Sequence, residues 1–379
     1  MNAAVGFGAL GPGAISIAAE IADNRICSVR VTSSRRTGLT RLFIGRSAQE
    51  IPLLAERLFS LCGLSHASAA TQAIAAARGE TPFMARGATQ TIGLLCERLS
   101  EALRSLVMNR GDASFPDDAA IRPLREILSL TRELSVLAMI NRRPNASERA
   151  VMKLLIDRIH AAAGELGLRT PNEAVVWPPQ AGSWFGKLWK EIKDDRNFTA
   201  SAPDTLGGDD DAVILDRLRQ EGERFAAAPS LAGRTPETGA FARHWRNVDF
   251  SGGVLCARLH ARMIDLAQCM ERLSRAGDGD PDEADGRSAA RALREGFAAV
   301  ETSRGCLYHW ARLASNDKIE NYAIVAPTEW NFHPAGPFVA ALLGARIPRS
   351  GAHRSITQLA GLFDPCVVFR VDVLETAHA

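Results

Sequence analysis

Apolar and polar side chains alternate near the start of the chain. The pattern runs through Ala14-Ile15-Ser16-Ile17-Ala18-Ala19-Glu20-Ile21, Ile26-Cys27-Ser28-Val29-Arg30-Val31 and Leu42-Phe43-Ile44. A period of two predicts half-buried strands, and Asp23-Asn24 and the Arg35 to Gly38 segment supply turns, so a small antiparallel sheet is expected here. Ser47-Ala48-Gln49-Glu50 reads as a capping box opening a helix that presents Ile51, Leu54, Leu58 and Leu61 and ends near Cys62-Gly63. From Ser65-His66 an alanine-rich helix runs to about Arg78. Leucines at three- and four-residue spacing then predict helices near 89–109, 119–140 and 147–167.

The periodicity dissolves between about 176 and 236, a loop-rich insert with short helical pieces such as 213–225, and Trp184 and Trp189 on a helix edge. It returns as helices over 253–275, 288–300 and 354–362 and as a strand-like run over 321–326. Asp364-Pro365 closes the last helix. Proline cannot continue it and biases Asp364 towards an extended conformation, so the chain turns and presents the thiol of Cys366. The fold class expected is α+β and predominantly helical, with one domain over 1–379.

Composition excludes several function classes. Of 379 residues, 46% are hydrophobic and 23% charged, and 45 basic against 43 acidic side chains leave a net charge of +2, so neither a nucleic-acid partner nor a membrane surface is expected. Residues 1–19 carry no charged side chain, but they lack a basic start, and Gly6, Gly8, Gly11, Pro12 and Gly13 interrupt them. No other apolar run reaches the roughly 20 residues that span a bilayer. Cysteines at 27, 62, 96, 256, 269, 306 and 366 are odd in number and form no CxxC pair, which fits reduced thiols in the cytoplasm rather than a disulfide framework.

Taken in order, these segments resemble the large subunit of nickel-iron hydrogenases. Arg57-Leu58-Phe59-Ser60-Leu61-Cys62, followed by Gly63-Leu64-Ser65-His66-Ala67, is similar to that family's Arg-Ile-Cys-Gly-Val-Cys and Thr-x-x-His-Ala. Asp364-Pro365-Cys366-Val367-Val368-Phe369-Arg370-Val371-Asp372 is similar to its Asp-Pro-Cys-x-x-Cys-x-x-His. Glu237 to Arg243, Arg304 to Trp310 and Pro327-Thr328-Glu329-Trp330-Asn331 resemble its Gly-Pro-Leu-Ala-Arg, Pro-Arg-Gly-Ala-Leu-Gly-His-Trp and Pro-Thr-Thr-Trp-Asn blocks. Phe59, Phe369 and Asp372 replace two thiolates and the processing histidine. Two cysteines leave nickel without enough soft ligands, so no nickel and no hydrogen-splitting enzyme is expected.

This combination resembles the HupK/HoxV hydrogenase assembly proteins. The resemblance implies a non-catalytic scaffold that transiently holds an iron-dicyanide-carbonyl precursor, with a HypC-type chaperone and the hydrogenase large subunit precursor as partners. Cys62 and Cys366 are then the metal ligands. Arg304 and Thr328 stand where the family hydrogen-bonds the cyanides, and His66 and Asp364 border the site. A metal-free docking protein and a degenerate hydrogenase are the alternatives.

Overall fold

A computed structural model describes residues 13–35, 38–80, 88–108, 116–140, 144–169, 175–280 and 286–375. The glycine-interrupted segment before Gly13, part of the turn near Arg35 to Gly38 and part of the Gly277 to Asp285 loop lie outside the described residues.

The first alternating runs are strands β1 (Ala14–Ala22) and β2 (Arg25–Ser33), paired antiparallel. Asp23 and Asn24 both take positive φ, 50° and 55°, the tight two-residue turn whose twist suits a hairpin. The third expected strand is absent: Leu39–Leu42 forms a 3-10 turn. Its place in the sheet is taken by the last strand of the chain, which runs parallel to β1, so the sheet is mixed rather than antiparallel. Ser47 makes no side-chain cap, and helix α1 (Ile51–Leu58) begins instead with proline in its first turn. It stops before the predicted end. Cys62 therefore does not close α1 but precedes α2 (Gly63–Ala77). A β-carbon on Gly63 would stand 2.7 Å from the Glu56 carbonyl oxygen, so this junction requires glycine.

Helices α3 (Ala88–Met108), α4 (Asp118–Ile140) and α5 (Ala146–Leu166) follow the leucine periodicity, and Asn145 with Glu148 supplies a formed capping box for α5. The loop-rich stretch holds α6 (Trp184–Ile192), α7 (Asp211–Glu221) and α8 (Glu223–Ala227), the last two broken at Gly222. Short α9 (Ala240–His244) leads to the long α10 (Gly253–Gly277). Helices α3, α4, α5 and α10 bury their apolar stripes in one large core.

The largest departure from expectation is at 288–300. This stretch is not a helix but a hairpin of β3 (Gly286–Ala292) and β4 (Glu295–Thr302), continued antiparallel by β5 (Gly305–Leu313) and β6 (Ile319–Val325). Its alanines mimic a helical composition, but tertiary packing overrides that propensity. Along β4, Phe297 and Ala299 face a cluster with Tyr308, Trp310 and Trp330, while Ala298 faces α2 through Ala70, Ala73 and Ile74. The approach of α2 is so close that a β-carbon on Gly296 would sit 1.8 Å from the Ala73 carbonyl oxygen.

After β6 come α11 (Pro327–Asn331), α12 (Pro337–Leu342) and α13 (Arg349–Phe363). Asp364 is not extended as its place before proline suggested. It ends α13 in the left-handed region, φ 56° and ψ 67°, a conformation aspartate tolerates better than most residues. The chain then bends through Pro365 and Cys366 into β7 (Val368–Glu375).

Candidate metal centre

The motif-bearing turns converge where α2, α11, the β4–β5 turn and the end of α13 meet. Cys366 and Thr328 are in direct contact: the Thr328 hydroxyl donates to Sγ of Cys366 at 3.3 Å, and the Cys366 backbone N–H donates to Thr328 Oγ1 at 3.2 Å. Cys62, at the head of α2, is held by its N–H on the Phe59 carbonyl at 3.0 Å. The two thiols lie within electrostatic reach of each other and of Arg304. Both are half-buried. Burial, then the charges of Glu97 and Cys366, push the Cys62 thiol far above its ordinary range.

Arg304 sits in the tight turn between β4 and β5, 5% exposed. Its Nη2 donates to Glu101 at 3.3 Å, and Nε lies 3.5 Å from Asp364 Oδ1. Burial opposes its charge, but Asp364, Cys366, Glu101 and Cys62 outweigh that cost and raise its pKa. The turn is locked from behind. Cys306 N–H donates to Thr238 Oγ1 at 2.9 Å, and Asn331 bonds both backbone groups of Thr238, at 3.0 and 2.9 Å. Thus the blocks at 237–243, 304–310 and 327–331 brace one another.

His66 and Asp364 border this centre without a hydrogen bond to either thiol. His66 Nδ1 pairs with His309 Nε2 at 2.9 Å, and His309 Nδ1 with the Tyr322 hydroxyl at 2.7 Å, a fully buried chain. Burial holds both imidazoles neutral, His309 at about 3. Asp364 accepts from Ser105 and from Arg262 Nη2 at 3.0 Å. The two phenylalanines that replace cysteine pack: Phe59 stacks on His66 at 3.9 Å, and Phe369 lies against the main core. Among the described residues, no group of three or more histidines, cysteines or carboxylates is arranged to hold a metal. Phe59 and Phe369 carry no donor atom, so these two positions offer none of the thiolates that the family's four-thiolate nickel site takes from them.

Five side chains at the centre escaped sequence reasoning: Arg35, Glu97, Glu101, Arg262 and Glu329. Glu329 alone left a signal, since it stands where the resembling block has a second threonine. Glu97 reaches from α3 to accept from Leu64 N–H at 2.6 Å, Ser65 N–H at 3.0 Å and the Ser65 hydroxyl at 2.5 Å, capping α2 in place of a local residue. Burial raises its carboxyl to about 7 despite those donors. A folded-state value above the unfolded one of about 4.5 means a stabilisation present below pH 4.5 and lost as pH rises towards 7, on the order of 3 kcal/mol. Glu97→Gln is expected to flatten that slope in urea titrations between pH 4.5 and 8. An unchanged slope would assign the titration elsewhere.

The family described as nickel-dependent hydrogenase matches residues 253–371. The hydrogenase expression/formation protein HupK of Rhizobium leguminosarum bv. viciae is 37% identical, covering 98% of this chain and 99% of that protein. The chain belongs to the HupK/HoxV family of hydrogenase expression/formation proteins.

Two further HupK/HoxV relatives are HupK of Bradyrhizobium diazoefficiens, 32% identical over 96% of this chain and 98% of its own, and HoxV of Cupriavidus necator, 30% identical over 89% and 92%. The fold is that of a hydrogenase large subunit. The Ni-Fe-Se hydrogenase of D. vulgaris Hildenborough superposes with a TM-score of 0.63 at 15% identity, covering 91% of this chain and 94% of that one. A NAD+-reducing [NiFe]-hydrogenase gives 0.60, also at 15%, covering 93% and 95%. Among the described residues, no helix of this HupK/HoxV chain is long and apolar enough to cross a membrane.

Proposed function

We infer that this protein serves hydrogenase maturation as a carrier, not an enzyme: it takes up an iron-dicyanide-carbonyl precursor as cargo through Cys62 and Cys366 and passes it towards the hydrogenase large subunit in the cytoplasm. The observation that carries this reading is the clamp of Thr328 on Cys366, with Cys62, from the other end of the chain, and the buried guanidinium of Arg304 within electrostatic reach. Iron that brings its own diatomic ligands needs fewer protein ligands than bare nickel, and thiolate is a suitable soft donor. Arg304 is the donor for the anionic cyanide nitrogens, joined by the Thr328 hydroxyl when its single proton turns from Cys366 Sγ to the cargo. The relatives' names, which refer to hydrogenase expression and formation, support the process. A HypC-type chaperone is the partner expected to hand over the cargo.

A metal-free docking role draws on the burial of Cys62, which pushes its thiol up and disfavours the thiolate that a metal needs. Infrared spectroscopy with iron and nickel analysis decides between the two, on protein purified without oxygen from cells expressing the maturation machinery. Cyanide and carbonyl bands with iron and without nickel are the expected result. Silent spectra from a maturation-competent preparation would replace the carrier by the docking protein, and nickel with hydrogen uptake would revive a degenerate hydrogenase.

A further inference from the structure

A small cavity lies where the end of α13 meets α10, the 237–241 segment and the turn between β4 and β5. Arg258, Arg262, Arg304, Glu237 and Asp364 line it, whereas neither thiol nor Thr328 does. Its volume is about 20 Å³, room for an occupant of water or halide size. The three arginines are only 4%, 4% and 5% exposed. Buried charges need partners, and three guanidiniums here face two carboxylates.

The hydrogen bonds leave the same gap. Arg258 spends Nη1 and Nη2 on Glu237, at 2.8 and 3.0 Å, and is held between the rings of Phe241 and Phe363, whose centroids lie 4.2 and 3.6 Å away. Its buried Nε–H finds no acceptor among the described residues. Neither does Nε–H of Arg304: Asp364 Oδ1 is 3.5 Å away, and that carboxylate already accepts from Ser105 and Arg262. Glu101 does not make up the difference, because Arg104 takes its closest contact, 2.7 Å against 3.3 Å to Arg304. Across these contacts four guanidiniums share three carboxylates, and one positive charge is left over. The adjoining contacts of Arg98 and Arg243 with Asp265 and Glu301 set two cations against two anions and supply no surplus carboxylate. We propose that the cavity binds one small monovalent anion of halide size, held by the Nε–H groups of Arg258 and Arg304. A water molecule accepts from the same donors but leaves the charge unbalanced. The anion compensates Arg304 while the thiols are without cargo, and its site stands independently of the carrier reading.

The test uses chloride as the probe, on full-length protein free of cargo, exchanged at constant ionic strength against gluconate, a carboxylate too large for the cavity. The midpoint of urea denaturation is expected to climb with the logarithm of chloride concentration, as one ion bound by the folded state alone requires. Equal midpoints in chloride and gluconate overturn the proposal. Arg258→Met/Glu237→Gln removes that ion pair as a unit, so the net charge is unchanged and only the Nε–H donor is lost to the anion. The climb should then begin at a chloride concentration at least about tenfold higher, the usual worth of a hydrogen bond to a charged group. Ser303→Asp gives an independent reading should the double variant not fold: it brings a carboxylate to the cavity wall and is expected to make the midpoint the same in both salts. Parental chloride dependence in either variant overturns the site. Silent infrared spectra would sink the carrier without touching this site, and indifference to chloride would sink the site without touching the carrier.

Discussion

Cys62→Ala is expected to lower the cyanide and carbonyl infrared bands of the purified protein by more than about a hundredfold, because loss of a ligand must exceed the roughly 10–100-fold that outer partners are worth. Cys366→Ala should do the same. Thr328→Val, which removes only the hydroxyl that clamps Cys366, is expected to fall within that smaller range. Loading through Cys62 also releases its proton, so metal uptake should strengthen as pH rises, in keeping with the upward push that burial gives this thiol. The measurement is band intensity per protein with iron content in parallel. Bands that persist in the Cys62→Ala/Cys366→Ala double variant would place the iron elsewhere.

Asp364→Asn is expected to destabilise the protein by about 3–5 kcal/mol, the usual cost of leaving one member of a buried ion pair uncompensated. Arg262 is 4% exposed and spends its charge on Asp364 Oδ2 at 3.0 Å. Burial already presses Arg262 below the ordinary arginine range, against the pull of Asp364, so an unpaired Arg262 has no cheap alternative. Asparagine tolerates the left-handed backbone of this position, which isolates the charge from the turn. Urea denaturation of cargo-free protein reads the effect. A loss below about 1 kcal/mol would mean that Arg262 is satisfied by its carbonyl partners Ala102 and Gly361, and that the pair is dispensable.

Residues in the chain order already determined much of this protein. The hairpin β1–β2, the long helices α3, α4, α5 and α10, and the termination of α13 at Asp364-Pro365 all follow from local period and turn chemistry, which act over a few residues and need no distant partner. The motifs at Cys62, Arg304, Thr328 and Cys366 were likewise legible, because each is a short run with a recognisable family pattern.

Only the tertiary structure decided the rest. The 288–300 stretch has the alanine content of a helix, and what makes it a hairpin is the space between α2 and the cluster around Trp310, which no local window contains. The capping of α2 passes from its own turn to Glu97 on another helix. The charges around the thiols are set by Arg35 with Glu329, Arg304 with Glu101, and Arg262 with Asp364, pairs separated by 294, 203 and 102 residues. Charge interactions depend on distance and burial rather than on sequence spacing, so these partners acquire their meaning only when the fold brings them together.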